Sequence, residues 1–68
     1  MNYLVIETQT SLAGNTIVAP VFTTDDINQA YARLHSILAA AATSDVHKHS
    51  AWICDETGSF VSGQTFTH

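Results

Sequence analysis

Residues 24–43, TDDINQAYARLHSILAAAAT, decide the fold class. Ile27, Ala30, Tyr31, Leu34, Ile37, Leu38 and Ala41 recur at the i, i+3, i+4, i+7 spacing that lines one side of an α-helix. An N-cap among Thr23, Thr24 and Asp25 starts the helix, and the aspartates at 25 and 26 suit the positive end of its dipole. Only Asp25, Asp26 and Arg33 are charged in this stretch, so no broad solvent-facing side is written into it. The side away from the stripe offers Asn28, Ala32, His35, Ser36, Ala39 and Ala40. Close approach of a second subunit on Ala32, Ser36, Ala39 and Ala40 explains that composition, as does the high helix propensity of alanine alone.

Working outward, two hairpins flank the helix. YLVIETQT (3–10) is rich in β-branched and aromatic residues and stops at Ser11-Leu12-Ala13-Gly14-Asn15, which supplies turn chemistry before the return strand TIVAPVFT (16–23). Pro20 lacks the N–H that a ladder needs, which places this strand at an edge or a bulge. A two-residue turn at Ala13-Gly14 puts Leu4, Ile6, Ile17, Ala19 and Val21 on one side and Tyr3, Val5, Val18 and Phe22 on the other. The second hairpin runs HKHSAWICD (47–55), turns at 56–59 and returns as FVSGQTFTH (60–68). A turn centred on Thr57-Gly58 pairs 53 with 62, 51 with 64, 49 with 66 and 47 with 68. That register gathers Ala51, Ile53, Phe60 and Phe66 beneath the helix and sets Trp52, beside Gly63, with Cys54 and Val61 on the opposite face. The expected architecture is α+β: a ββαββ order forming a four-stranded antiparallel sheet with one helix on one face, oligomeric through a second apolar face.

The chain of 68 residues has room for one domain, 1–68. A domain of that size buries only about 60% of its unfolded surface and generally needs reinforcement from disulfides, metal or association. A lone cysteine, Cys54, excludes an intrachain disulfide and suits a reducing compartment. A net charge of −4, with Arg33 and Lys48 as the only fixed cations, argues against duplex nucleic acid, which is bound by neutralising many phosphates. The start, MNYLVIET, has no basic residue of the kind that opens a signal peptide, and no apolar run approaches the roughly 18 residues that cross a bilayer. A soluble protein of the cytoplasm is expected, with no membrane partner.

Four histidines are the residues most open to chemistry. His47 and His49 share a strand face in the register above and meet His68 near the open end, a three-ligand set for zinc or another borderline metal, with Asp45 nearby. Surface or interface positions are the alternative for all three. His35 follows Tyr31 by one helical turn, so their rings meet. Cys54 has neighbours that give no reason for a reactive thiol. Arg33 and Lys48 offer charge to a small anionic ligand. No nucleophile elbow, phosphate-cradling glycine loop, CxxC or HExxH is present, so no catalytic residue is assigned and an enzyme is not expected.

MNYLVIETQT, LHSILAAAATS (34–44), HSA (49–51) and FTH (66–68) occur in an order and spacing that resembles a group of short uncharacterised proteins from Firmicutes and from their phages and mobile elements. Glu7, His35, His49 and His68 match that pattern. Leu34 stands where an aromatic is familiar and His47-Lys48 where a proline is common, which weakens His47 as a ligand. The resemblance implies a setting in which small accessory proteins inhibit host machinery or sequester immune signals by stoichiometric binding. Residues and resemblance together predict a non-enzymatic, homo-oligomeric binding protein in the host cytoplasm. Its expected partner is a host factor or a small nucleotide-like ligand, contacted by Tyr31, Arg33, His35, Lys48 and Trp52, with Trp52 also at the oligomer interface. The alternatives are a virion or tail-associated structural subunit and a histidine-dependent small metalloprotein.

Overall fold

A computed structural model describes residues 1–68. Strand β1 (Tyr3–Thr10) is followed by β2 (Thr16–Val18), β3 (Phe22–Thr24), helix α1 (Ile27–Thr43), β4 (Lys48–Asp55) and β5 (Phe60–Thr67). All strand pairs are antiparallel. The sheet runs β2-β1-β4-β5, and β3 also pairs with β1, beyond β2 along the same side. The fold is therefore α+β, with one helix and five strand segments where four strands were expected. The extra segment arises at Ala19-Pro20-Val21, which interrupts the return strand. Thr8 faces Val18 and Val5 faces Phe22, so two residues of β1 stand opposite three, which makes a bulge around Pro20.

Pairing of β1 with β4 from Tyr3–Asp55 to Thr10–Lys48 puts Tyr3, Val5, Glu7 and Gln9 on one face with Ile53, Ala51 and His49. The helix covers this face. Ala30 and Leu34 join Val5, Ala51 and Ile53 as the buried core, and Ile27, Tyr31, Ile37 and Leu38 pack around it with Tyr3 and Phe22. Ala41 is also fully buried, so all seven stripe residues face inward. The core is small: Leu34, Ile53 and Val5 are its largest fully buried side chains, each contributing about 1.5–3 kcal/mol of burial.

The helix starts one residue later than expected. Asp26 is the N-cap, accepting from the Asn28 N–H at 2.9 Å, while the Thr24 hydroxyl accepts from the Asp26 N–H at 3.1 Å and donates to Gln29 Oε1 at 3.1 Å. At the other end the Ser44 N–H donates to the Ala41 carbonyl.

Both hairpins depart from the two-residue turns expected of them, and in the same way. Ser11 N–H donates to the Asn15 carbonyl at 2.8 Å and Asp55 N–H to the Ser59 carbonyl at 3.0 Å, so each loop has three residues, with Gly14 (φ 92°) or Gly58 (φ 88°) third. Glycine fits there because only it takes a left-handed conformation without strain. The shorter register beside each turn is then reversed by a bulge farther along. In β5, Phe60 faces Cys54 and Ser62 faces Ile53, after which 51–64 and 49–66 pair as expected. Phe60 consequently leaves the helix-covered face and is 68% exposed. In the first hairpin Ile17 faces Gln9 and Val18 faces Thr8, so these two exchange their expected sides.

Asp55 holds the second turn. Its carboxylate accepts from the Thr57 hydroxyl, the Ser59 N–H and the Thr57 N–H. The Thr57 hydroxyl contributes most to holding the carboxyl below its ordinary value of 3.8, followed by the Ser59 N–H. A lowered carboxyl pKa gives stability that is complete above the unfolded value and is lost as pH falls through the folded one. Asp55→Ala is therefore expected to lower the melting temperature at neutral pH, with the gap from wild type closing below about pH 4. Thermal unfolding across that pH range measures it.

Candidate functional site

Glu7 and His49 form the one polar pair set into the helix-covered face. Glu7 lies in the middle of β1 and His49 near the start of β4, and His49 Nε2 meets Glu7 Oε2. Gln9 Nε2 also donates to Glu7 Oε2, at 3.4 Å. His49 is 3% exposed, and its Nδ1 is buried without a partner. In the tautomer that carries the proton on Nε2, the ring donates to the carboxylate and only a lone pair at Nδ1 is left unsatisfied. A carboxylate in an apolar strand and a buried imidazole beside it thus compensate one another. Reading the strands separately missed this pair, although a glutamate amid YLVIETQT that faces inward already calls for a cross-strand partner.

The cavity of the molecule lies elsewhere, past the C-terminal end of α1. It is an open cleft of about 570 Å³ between the tip of the first hairpin, the loop ahead of β4 and the end of the chain. Leu12, Ile17 and Val46 form its apolar wall, and Gln9, Ser11, Asn15, Asp45, His47 and His68 its polar one. This volume falls in the range of small-molecule sites. The lining contains a carboxylate, two amides and two imidazoles but neither lysine nor arginine, so its chemistry favours a neutral, hydrogen-bonding ligand face over a phosphate.

His47 and His68 line the cavity, and His49 does not. His47 Nδ1–H donates to the His68 carbonyl at 3.0 Å, the His68 N–H donates to the His47 carbonyl at 2.7 Å, and His68 Nε2–H donates to the Ala41 carbonyl at 3.0 Å. His68 thereby gives a second donor to a carbonyl of the last helical turn that the Ser44 N–H already caps. The expected convergence of His47, His49 and His68, with Asp45, does not occur: no group of three or more histidine, cysteine, aspartate or glutamate side chains is placed to share a metal ion. The physical reason is that each ring is already turned toward a different acceptor.

The other candidate contacts are dispersed. Tyr31 and His35 stack on the helix, with ring centroids 6.2 Å apart and planes at 25°. Arg33 lies over the Phe22 ring at 5.5 Å. Lys48 is exposed at the start of β4, and Trp52 is half-buried on the sheet face away from the helix. None of these five lines the cavity. Ala32, Ser36, Ala39 and Ala40 are exposed on the outer side of α1.

The sheet face without a helix is apolar through its centre. Pairing places Ile6 beside Trp52 and Leu4 beside Cys54, and Phe60 and Val61 adjoin them. Trp52 also faces Gly63 as expected, and the fit is tight: a Cβ at Gly63 would lie 2.7 Å from the Ala51 carbonyl oxygen and 2.8 Å from Trp52 Cα. No helix of the structure is long and apolar enough to cross a membrane. Comparison with protein families, with curated proteins and with solved structures finds no match.

Removing one member of the Glu7–His49 pair exposes the cost of the other. Glu7→Leu is expected to lower stability by about 1–3 kcal/mol, because it leaves both ring nitrogens of His49 unpaired. Glu7→Gln retains an acceptor and recovers much of the loss. In urea denaturation, Glu7→Leu combined with His49→Leu loses less than the two single variants add up to.

Proposed function

We propose that this chain is a non-enzymatic binding protein that works as a homo-oligomer, with the helix-free sheet face as an assembly surface and the cavity as a ligand site. The observation that carries the reading is the uncovered sheet face. A single helix covers one side of the sheet; on the other side no second element lies over Leu4, Ile6, Trp52 and Cys54, which are half-buried, or over Val61, which is exposed. A core as small as this one gains stability from such an association. The outer side of the helix is the second apolar surface, but it carries small residues that bury far less area than Trp52 with Ile6 and Leu4. Trp52→Arg is therefore expected to lower the native mass in solution, and Ala39→Arg to leave it at the wild-type value. Sedimentation velocity distinguishes them; a wild-type mass in Trp52→Arg contradicts the assignment of this face.

For the cavity, a nucleotide-like ligand is supported by the combination of an apolar wall with two amides and Asp45, groups suited to the edge of a nucleobase. With neither lysine nor arginine in the lining, a phosphate of such a ligand is better solvated outside it. Adenosine and guanosine serve as probes: in amide-detected NMR titrations, shifts are expected at Asn15, Asp45, Val46 and His47, and an Asn15→Ala/Asp45→Ala variant is expected to lose them. Shifts confined to the outer sheet face, or none, contradict the ligand site. Action on a host factor, by inhibition or by sequestration of its signal, is the biological role that the sequence resemblance suggests for such binding.

A further inference from the structure

Building on the homo-oligomeric reading above, we infer that the free edge of β5 is a second interface, at which a second copy of this chain pairs its own β5 antiparallel across a two-fold axis and continues the sheet. The two edges of the sheet are treated differently. One edge is formed by β2 and β3, three residues each, separated by the bulge at Pro20. Short strands, proline and a bulge are the usual means of blocking edge pairing. The other edge is β5, eight residues reading FVSGQTFT, with no charged residue and no proline. Its only irregularity is the bulge at its first two residues, which leaves 62–67 regular.

The direction of the free backbone groups follows from the ladder. His68 N–H donates to the His47 carbonyl, and the same pairing phase continues along β4. Opposed pairs alternate between hydrogen-bonded and non-hydrogen-bonded in an antiparallel ladder, so Ser62, Gln64, Phe66 and His68 turn their backbone groups toward β4. Gly63, Thr65 and Thr67 then present theirs outward, whereas Val61 lies in the bulge and turns its N–H toward β4. A two-fold axis beside Thr65 uses all three: Gly63 faces Thr67 of the second copy, Thr65 faces its own counterpart, and each such pair exchanges two hydrogen bonds. Registers centred on Gly63 or Gln64 leave an outward residue of each copy unpaired. The same axis sets Gln64 of each copy opposite Phe66 of the other as a non-hydrogen-bonded pair. Charge permits this contact as well. Each chain has a net charge of −4, yet none of its charged residues lies on β5, so two copies meet here without opposing carboxylates.

The test removes a single outward N–H. Thr65→Pro deletes a donor that faces away from β4, whereas Thr65→Val keeps the donor and removes the hydroxyl that bonds Ser50 at 2.8 Å. By native mass spectrometry, Thr65→Val is expected to retain the wild-type mass and Thr65→Pro to lose a factor of two, with far-UV circular dichroism confirming that both are folded. Should Thr65→Pro fail to fold, a cross-link decides. In a Cys54→Ser background, Thr65→Cys is expected to give interchain disulfide dimers on mild oxidation, because facing residues of a hydrogen-bonded pair stand about 5.5 Å apart, within disulfide reach; a cysteine at the exposed Ala32 is the control that does not. If folded Thr65→Pro keeps the wild-type mass, or Thr65→Cys cross-links no better than the control, the edge interface is wrong. In that event a lowered mass for Trp52→Arg leaves the homo-oligomeric reading standing. A monomeric wild type that yields no cross-link overturns both.

Discussion

Eight consecutive residue pairs between β1 and β4, from Tyr3–Asp55 to Thr10–Lys48, are the interaction on which the rest of the structure depends. They join the two hairpins at the centre of the sheet and set one parity for both strands. With that parity Val5, Ile53 and Ala51 lie under the helix, and Leu4, Ile6, Trp52 and Cys54 lie on the other side. A shift of one residue would reverse every one of these positions. The same parity brings Glu7 within reach of His49, so the polar pair checks the register: a slipped β1 would bury an imidazole without its carboxylate. Because the helix is the only element that covers the sheet, a correct register necessarily leaves the Trp52 face open.

Much of the fold is legible in the residues. All seven positions of the helical stripe face inward, 49, 51 and 53 pair with 66, 64 and 62 as expected although through a different turn and a bulge, and Pro20 marks a bulge. The departures share one cause. A glycine near a turn is equally compatible with the second place of a two-residue loop and the third place of a three-residue loop, and the pattern of apolar residues does not separate them. The structure uses three-residue loops and then restores the original register with a bulge. Residues between loop and bulge, Ile17, Val18 and Phe60, therefore change sides, while those beyond it do not.

The site was less legible because its parts come from segments far apart in the chain. The cavity needs the tip of the first hairpin, the loop ahead of β4 and His68 together, and no local spacing announces that meeting. The histidines were visible as a group, but their partners were not. Glu7, the His68 carbonyl and the Ala41 carbonyl each engage a different ring, which disperses the set. The uncharged character of β5 was plain in the residues. Its meaning as an edge depends on the strand order, which only the assembled sheet supplies.

Trp52 is the only tryptophan, and it sits at the centre of the uncovered face. Iodide quenching of its fluorescence across a dilution series therefore asks directly whether another copy covers that face. The account predicts an emission that is shielded at high protein concentration and becomes quenchable on dilution, in step with the fall in sedimenting mass. Equal quenching at every concentration, at the level of an exposed indole, would contradict it.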